Sequence, residues 1–266
     1  MPTQLHKMTW EENKEAIERS KVVLVPVGST EQHGPHLPIN NDAYCAEKLS
    51  LTIADAAAQE GLEVAVGPGI AFGVSGHHMG FPGTVTLRRH LFEEVVYEVG
   101  SSLLKHGWKR VVFVNGHGGN SSALMAAIER LAHDYPDAVV VLHEWWILTG
   151  DKLREILEVG LFHAGEGETS LSMALGQKVL EDRMKPEIPV SHSKFISFNF
   201  LESVFKVGLP LPPLHKITKS GVVGDPTKAS RAKGEAILRE VLARTMILLR
   251  ELTEDKLMVG DTNQPN

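Results

Sequence analysis

The chain has 266 residues, 42% of them hydrophobic and 23% charged, with a net charge of −6, a profile that suits one large α/β domain or two small ones. This balance argues against nonspecific binding to nucleic acid or to an anionic membrane, and no apolar run approaches the roughly 20 residues of a membrane span. Cys45 is the single cysteine, so no intrachain disulfide can form and a buried structural thiol is expected there; Met1–Trp10 has no apolar leader region, and the expected location is cytoplasmic.

In chain order, Thr9–Arg19 reads as a helix, with Thr9 and Glu12 spaced as a capping box. Val22–Val27 is a continuous apolar run, a buried strand. Asp42 to Gln59 has helical spacing. Leu62–Val66 is a second strand, closed by Gly67-Pro68-Gly69. The glycine-rich stretch Phe72–Thr84 has no helical or strand period, and a loop of that length often carries function. Arg88–His106 reads as a helix ending at Gly107. Val111–Val114 and Val139–Leu142 are strands on either side of a helix from Asn120 to His133. Ile147–Val159 and Glu168–Leu180 are predicted helical, residues 185–223 are Pro-rich and irregular, and Thr227–Glu251 is a long helix. Residues 1–253 are expected to form one domain, with a loop-rich insertion near 185–223 and a frayed polar tail at 254–266.

Apolar strands alternating with helices imply a mostly parallel sheet covered on both faces, a three-layer α/β/α fold. Sites in such sheets form at the carboxyl ends of strands. Glu31, the glycine-rich loop, Asn115-Gly116-His117 and Trp145 each follow a strand, so all four are expected along one edge.

Three segments on that edge carry metal-ligand chemistry. In Gly28-Ser29-Thr30-Glu31-Gln32-His33, the i, i+2 spacing places Glu31 and His33 on one side of an extended segment. Asp42 follows as either a second carboxylate ligand or the cap of its helix. His117 lies in Asn115-Gly116-His117-Gly118-Gly119-Asn120, where a ligand is a better explanation than a phosphate loop, because there is no lysine and neither glycine fingerprint is present. In His163-Ala164-Gly165-Glu166-Gly167-Glu168, a helix-start cap explains one glutamate and leaves the other with His163. Six histidines, His33, His36, His77, His78, His117 and His163, fall in or beside these segments and the glycine-rich loop. Glu31, His33, Asp42, His117 and Glu168 suit two divalent metals if Asp42 bridges them, and the implied chemistry is metal-assisted hydrolysis.

These motifs, with Phe81-Pro82-Gly83-Thr84 between them, resemble those of the creatininase (creatinine amidohydrolase) family in order and spacing over residues 7–250. The resemblance implies an α/β/α fold and a two-metal site. It places Glu31, His33, Asp42, His117 and Glu168 on metal positions and His163 on the family's proton-transfer histidine. It also implies a homo-oligomer, often a hexamer. Creatinine-hydrolysing members carry a glutamate two residues after the third motif's histidine, where this chain has Gly119. They have a tryptophan and a glutamate where this chain has Val159 and Phe162. Glu168 is therefore expected to complete the second metal's shell, and creatinine itself is not the expected substrate. Substrate contacts are expected from Ser75, His78, Gly118 and Trp145, with Trp146 as packing. His77 is either a further polar contact or a solvent-facing loop residue.

The expected activity is cleavage of a C–N bond in a small polar amide or cyclic amide, with zinc or manganese (or iron) as cofactor and His163 as proton donor. The alternatives are cleavage of a C–C bond in a keto-inositol-type ring and a non-catalytic metal- or ligand-binding role.

Overall fold

Valine-rich runs with no polar face become the centre of the sheet. The computed structural model describes residues 3–193, 195, 197–202 and 212–254. Its strands are β1 (Thr3–Gln4), β2 (Val22–Val27), β3 (Val64–Val66), β4 (Arg110–Asn115) and β5 (Val139–Glu144), in the order β1-β3-β2-β4-β5 and all parallel. The helices are α1 (Trp10–Arg19), α2 (Asn41–Gln59), α3 (Arg89–Lys105), α4 (Ser121–Asp134), α5 (Trp145–Leu148), α6 (Gly150–Ile156), α7 (Glu166–Ala174) and α8 (Arg231–Thr253). Among the described residues no helix is long and apolar enough to cross a membrane.

Every residue of β2 is buried, and successive side chains enter different layers. Val22 and Leu24 pack with Leu49 and Ile53 of α2 and with Ile237, Val241 and Leu249 of α8. Val23, Val25 and Val27 pack with Ala16 of α1, Phe92 and Val96 of α3, and Leu124 and Leu131 of α4. Burying each such Val, Leu or Phe contributes about 1.5–3 kcal/mol against chain entropy, so the sheet is clamped from both sides, as the unbroken apolar runs predict.

The register sets the edge at which the strand-end loops meet. Val27 is level with Asn115, and Asn115 with Glu144. Val27 also bridges Ile70, beyond the end of β3. The loops that leave β2, β3, β4 and β5 therefore emerge together, and the expected convergence is present.

Several boundaries differ from expectation. β1 is two residues long, too short for any periodicity, and pairs through Thr3 with Ala65. The predicted helix at 147–159 is two helices broken at Thr149, whose hydroxyl donates back to the Trp145 carbonyl at 2.7 Å. α7 ends early, before Gly176, where φ is +82°. α8 starts at Arg231 with Ser230 as cap; Thr227 sits in a preceding 3-10 turn. The capping box at Thr9 and Glu12 is formed as read. The irregular insertion is described outside residues 194, 196 and 203–211, and the tail beyond 254 lies outside the described residues.

Candidate metal centre

Two close backbone approaches assemble the centre. A Cβ on Gly28 would lie 2.4 Å from the Ala43 backbone, and one on Gly116 would lie 2.5 Å from the Asp42 carbonyl. With no side chain at the ends of β2 and β4, the first turn of α2 packs directly against both strands. Asp42 is thereby carried to Glu31 and His33 on one side and to His117 on the other. Asp42 is the second residue of α2 and caps nothing; the residue before the helix, Asn40, makes no side-chain cap bond either.

Asp42 divides its carboxylate between two imidazoles. Oδ1 lies 2.8 Å from His33 Nε2 and Oδ2 lies 3.2 Å from His117 Nδ1. Glu31 Oε1 is 3.2 Å from the same His117 Nδ1. The other nitrogens show which face is the lone pair. His33 Nδ1 is 3.2 Å from the Glu31 carbonyl, and His117 Nε2 is 3.2 Å from the Val74 carbonyl. Carbonyls only accept, so those nitrogens hold the protons. His33 Nε2 and His117 Nδ1 then turn lone pairs onto carboxylate oxygens, an arrangement that only a cation between them, a metal ion or a proton, makes favourable. Glu31 Oε1, His33 Nε2 and Asp42 Oδ2 are buried without a hydrogen-bond partner. Ligand atoms around one ion at 2.0–2.2 Å stand about 3 Å apart, which these separations match. Two sets of potential ligands, Glu31-Asp42-His117 and Glu31-His33-His163, share Glu31.

Charge follows the same logic. Burial opposes charging of His33, but Asp42, Glu168 and Glu31 outweigh it and raise its pKa to about 10. His117 is likewise held well above the ordinary histidine value, against burial, by Glu31 and Asp42. Asp42 is held well below the carboxylate range by His33 and His117 despite its burial. A proton thus occupies each lone pair wherever a metal does not.

The third segment closes the other side. His163 Nδ1 lies 3.9 Å from Glu31 Oε1 and 4.0 Å from Glu168 Oε2. Burial, with His33 nearby, keeps His163 neutral by pushing its pKa well down. Glu168 Oε2 is 3.7 Å from His33 Nε2 and accepts the Ala164 N–H at 2.7 Å, and burial raises Glu168 to about 7. Ala164 has φ +51°, a left-handed conformation costing about 1–2 kcal/mol in a residue with a Cβ. That turn aims His163 and Glu168 at the same point. Glu166 faces away and is fully buried. It accepts the Glu158 and Val159 amides and pairs with Lys233 Nζ at 2.6 Å.

A cavity of about 250 Å³ opens over the centre. His77, His78, His117 and His163 form its polar side; Trp146, Phe198, Phe200, Leu214 and Val223 form its apolar side. No lysine or arginine lines it among the described residues. His78 and Gly118, the expected substrate contacts, line this cavity. Ser75 is not at the cavity: it is fully buried behind Glu31, donating to Oε2 at 2.5 Å, so it holds the Glu31 carboxylate in place. Trp145 is not there either. Because α5 begins at residue 145, directly after β5, Trp145 turns into the core and Trp146 reaches the cavity, their rings meeting edge-on. Gly119 lines the cavity, and a Cβ there would lie 2.3 Å from His117 Nε2. Sequence reasoning also missed Phe198 and Phe200, whose i, i+2 spacing inside an irregular segment is their only signal, and Gln32, which touches both His78 and His163.

The family described as creatinine amidohydrolase (creatininase) matches residues 6–249. The mycofactocin precursor peptide peptidase of Mycolicibacterium smegmatis is 34% identical over 223 residues, covering 83% of this chain and 81% of that protein. The creatinine amidohydrolase of Pseudomonas putida is 27% identical over 264 residues, covering 92% and 95%. The solved structure "Creatininase Mn" aligns with a TM-score of 0.77 at 26% identity, over 94% of this chain and 98% of that one.

Proposed function

We propose, from the premise that this chain belongs to the creatininase family of hydrolases, that it cleaves the C–N bond of a small amide at a two-metal centre. The observation that carries this reading is the divided carboxylate of Asp42, one oxygen at His33 and the other at His117, with Glu31 common to both potential ligand sets.

Glu31, Asp42 and His117 would hold one ion, and His33 and Asp42 the other. Glu168 would complete the side where Gly119 offers no carboxylate. The mixed oxygen and nitrogen donor set suits zinc or manganese, with iron as a further candidate. Bound there, two divalent ions supply Lewis-acid polarisation of the amide carbonyl and a water nucleophile at neutral pH.

The protein's own groups do the rest. Neutral His163 takes up a proton at Nδ1 and returns it to the leaving nitrogen, within reach of Glu31 and Glu168. Trp146, Phe198 and Phe200 exclude water from the opposite wall and accept an apolar substituent beside the amide. No lysine or arginine stands among the described lining residues to pair with an anionic substituent. The M. smegmatis relative is named as a peptidase, and the apolar wall favours small peptides and acylated amines over creatinine.

Metal analysis of protein purified without added metal or chelator, followed by an amide and dipeptide screen, tests this reading. About two ions per chain and turnover of apolar amides support it. Failure to bind zinc or manganese on reconstitution would sink the ligand assignment and favour a binding protein. Turnover confined to cyclic ketones would move the reaction to C–C cleavage.

A further inference from the structure

Gln32 stands between Glu31 and His33 and is almost fully buried, yet it ligates nothing. The Gly34 N–H donates to its Oε1 at 2.9 Å, so its two amide hydrogens point the opposite way. Three neighbours lie 3.0 Å from Gln32 Nε2: the Gly221 carbonyl, His78 Nδ1 and His163 Nε2. The carbonyl can only accept, and takes one hydrogen. His163 Nε2 is also 3.0 Å from the main-chain carbonyl of Gln32, another pure acceptor, so His163 carries its proton on Nε2 and donates there. The second amide hydrogen is left for His78 Nδ1. His78 must then carry its proton on Nε2, which lies 3.1 Å from Glu31 Oε1. With this assignment Gln32 Nε2, His78 Nδ1 and His163 Nε2 all have complementary partners.

We infer that Gln32 is a positioning residue that decides which histidines of this cluster are ligands. Its side-chain amide keeps the His78 proton on Nε2, the nitrogen facing Glu31, so His78 turns no lone pair toward a metal there although it is as close to Glu31 Oε1 as His117 is. Its main-chain carbonyl fixes His163 in the other sense, with Nδ1 unprotonated and turned toward the cavity. The role of His163 rests on the proposed hydrolysis; the role of His78 does not.

Histidine-selective ¹⁵N spectra of the zinc-loaded protein read the tautomers directly. In the wild type both His78 and His163 are expected with the proton on Nε2. Gln32→Glu replaces the donor with an acceptor and should move the His78 proton to Nδ1. Gln32→Met should leave His78 averaging between tautomers, with kcat falling about tenfold to a hundredfold, as for other lost orienting groups, and KM nearly unchanged. A wild-type His78 protonated on Nδ1 would overturn the inference. So would unchanged His78 resonances in both variants, the result expected if Gln32 only fills space. Absence of amide turnover in the wild type would count against the proposed function alone, because the tautomers remain readable.

Discussion

His33 Nε2 lies 2.8 Å from Asp42 Oδ1, with the other His33 nitrogen turned to the Glu31 carbonyl. Only a cation, metal or proton, makes that distance favourable. Asp42→Ala removes the carboxylate whose two oxygens lie 2.8 Å from His33 and 3.2 Å from His117 and should reduce metal content from about two ions per chain to nearly none. Asp42→Asn keeps the shape and a single neutral oxygen, and should retain at most one ion weakly. Elemental analysis after gel filtration decides the matter; two ions retained in Asp42→Ala would remove Asp42 from the bridging position.

On the proposed ligand set, metal and proton compete for the same lone pairs, which fixes a pH dependence. With His33 raised to about 10, the metal-free protein carries that proton at pH 7, and binding must release it. Apparent metal affinity should therefore climb as pH rises toward 10. The raised pKa also stabilises the metal-free fold fully below about 6.5, the ordinary histidine value, and that contribution is lost as pH rises through about 10. Calorimetry of zinc binding in buffers of different ionisation enthalpy should show net proton release. No release at pH 7 would mean that His33 is neutral in the metal-free state.

His163 separates proton transfer from metal binding, because its Nδ1 stands 3.9 Å or more from the carboxylates it faces. His163→Ala should retain both ions while kcat falls about 10²–10⁴-fold, the range for loss of a general acid–base group. Loss of an ion in this variant would show instead that His163 ligates, as its place beside Glu31 and His33 allows.

What was legible in the sequence follows from which interactions are local. Val22–Val27 is fully buried and reads as a strand without ambiguity. Glu31 and His33 share a side because strand geometry alternates, and Thr9 with Glu12 forms a cap within one turn. The shell around the candidate ligands depends on distant contacts. Ser75 reaches Glu31 across 44 residues and Gln32 reaches Gly221 across 189, and no local pattern records either. The choice between Trp145 and Trp146 turned on one residue of helix phase at the end of β5, finer than periodicity resolves.

Gly119 is a departure that one substitution cannot reverse. A Cβ there would stand 2.3 Å from His117 Nε2 and 2.7 Å from the Val74 carbonyl, the pair whose hydrogen bond orients His117. Gly119→Glu should therefore lower metal content and fail to confer creatinine hydrolysis. Gly119→Ala should already weaken metal binding by about tenfold or more, the usual cost of a disturbed orienting contact. A Gly119→Glu protein with full metal content and creatinine turnover would show that the 117–120 turn can rearrange to accept a side chain.

Lys233 supports the third segment from outside the cavity. Its Nζ is 2.6 Å from Glu166 Oε1, and Glu166 begins the helix that carries Glu168. Two backbone amides also donate to Glu166, but they cannot balance a full charge in a fully buried site. Lys233→Met leaves that carboxylate without a countercharge and should cost about 3 kcal/mol, which for a chain of this size lowers Tm by roughly 6–10 °C. Adding Glu166→Gln to the same protein removes the stranded charge and should recover part of the loss. Differential scanning calorimetry of the two variants tests the pair. Equal melting of Lys233→Met and wild type would show that the two amides alone hold Glu166, and that Lys233 adds nothing to the alignment of α7.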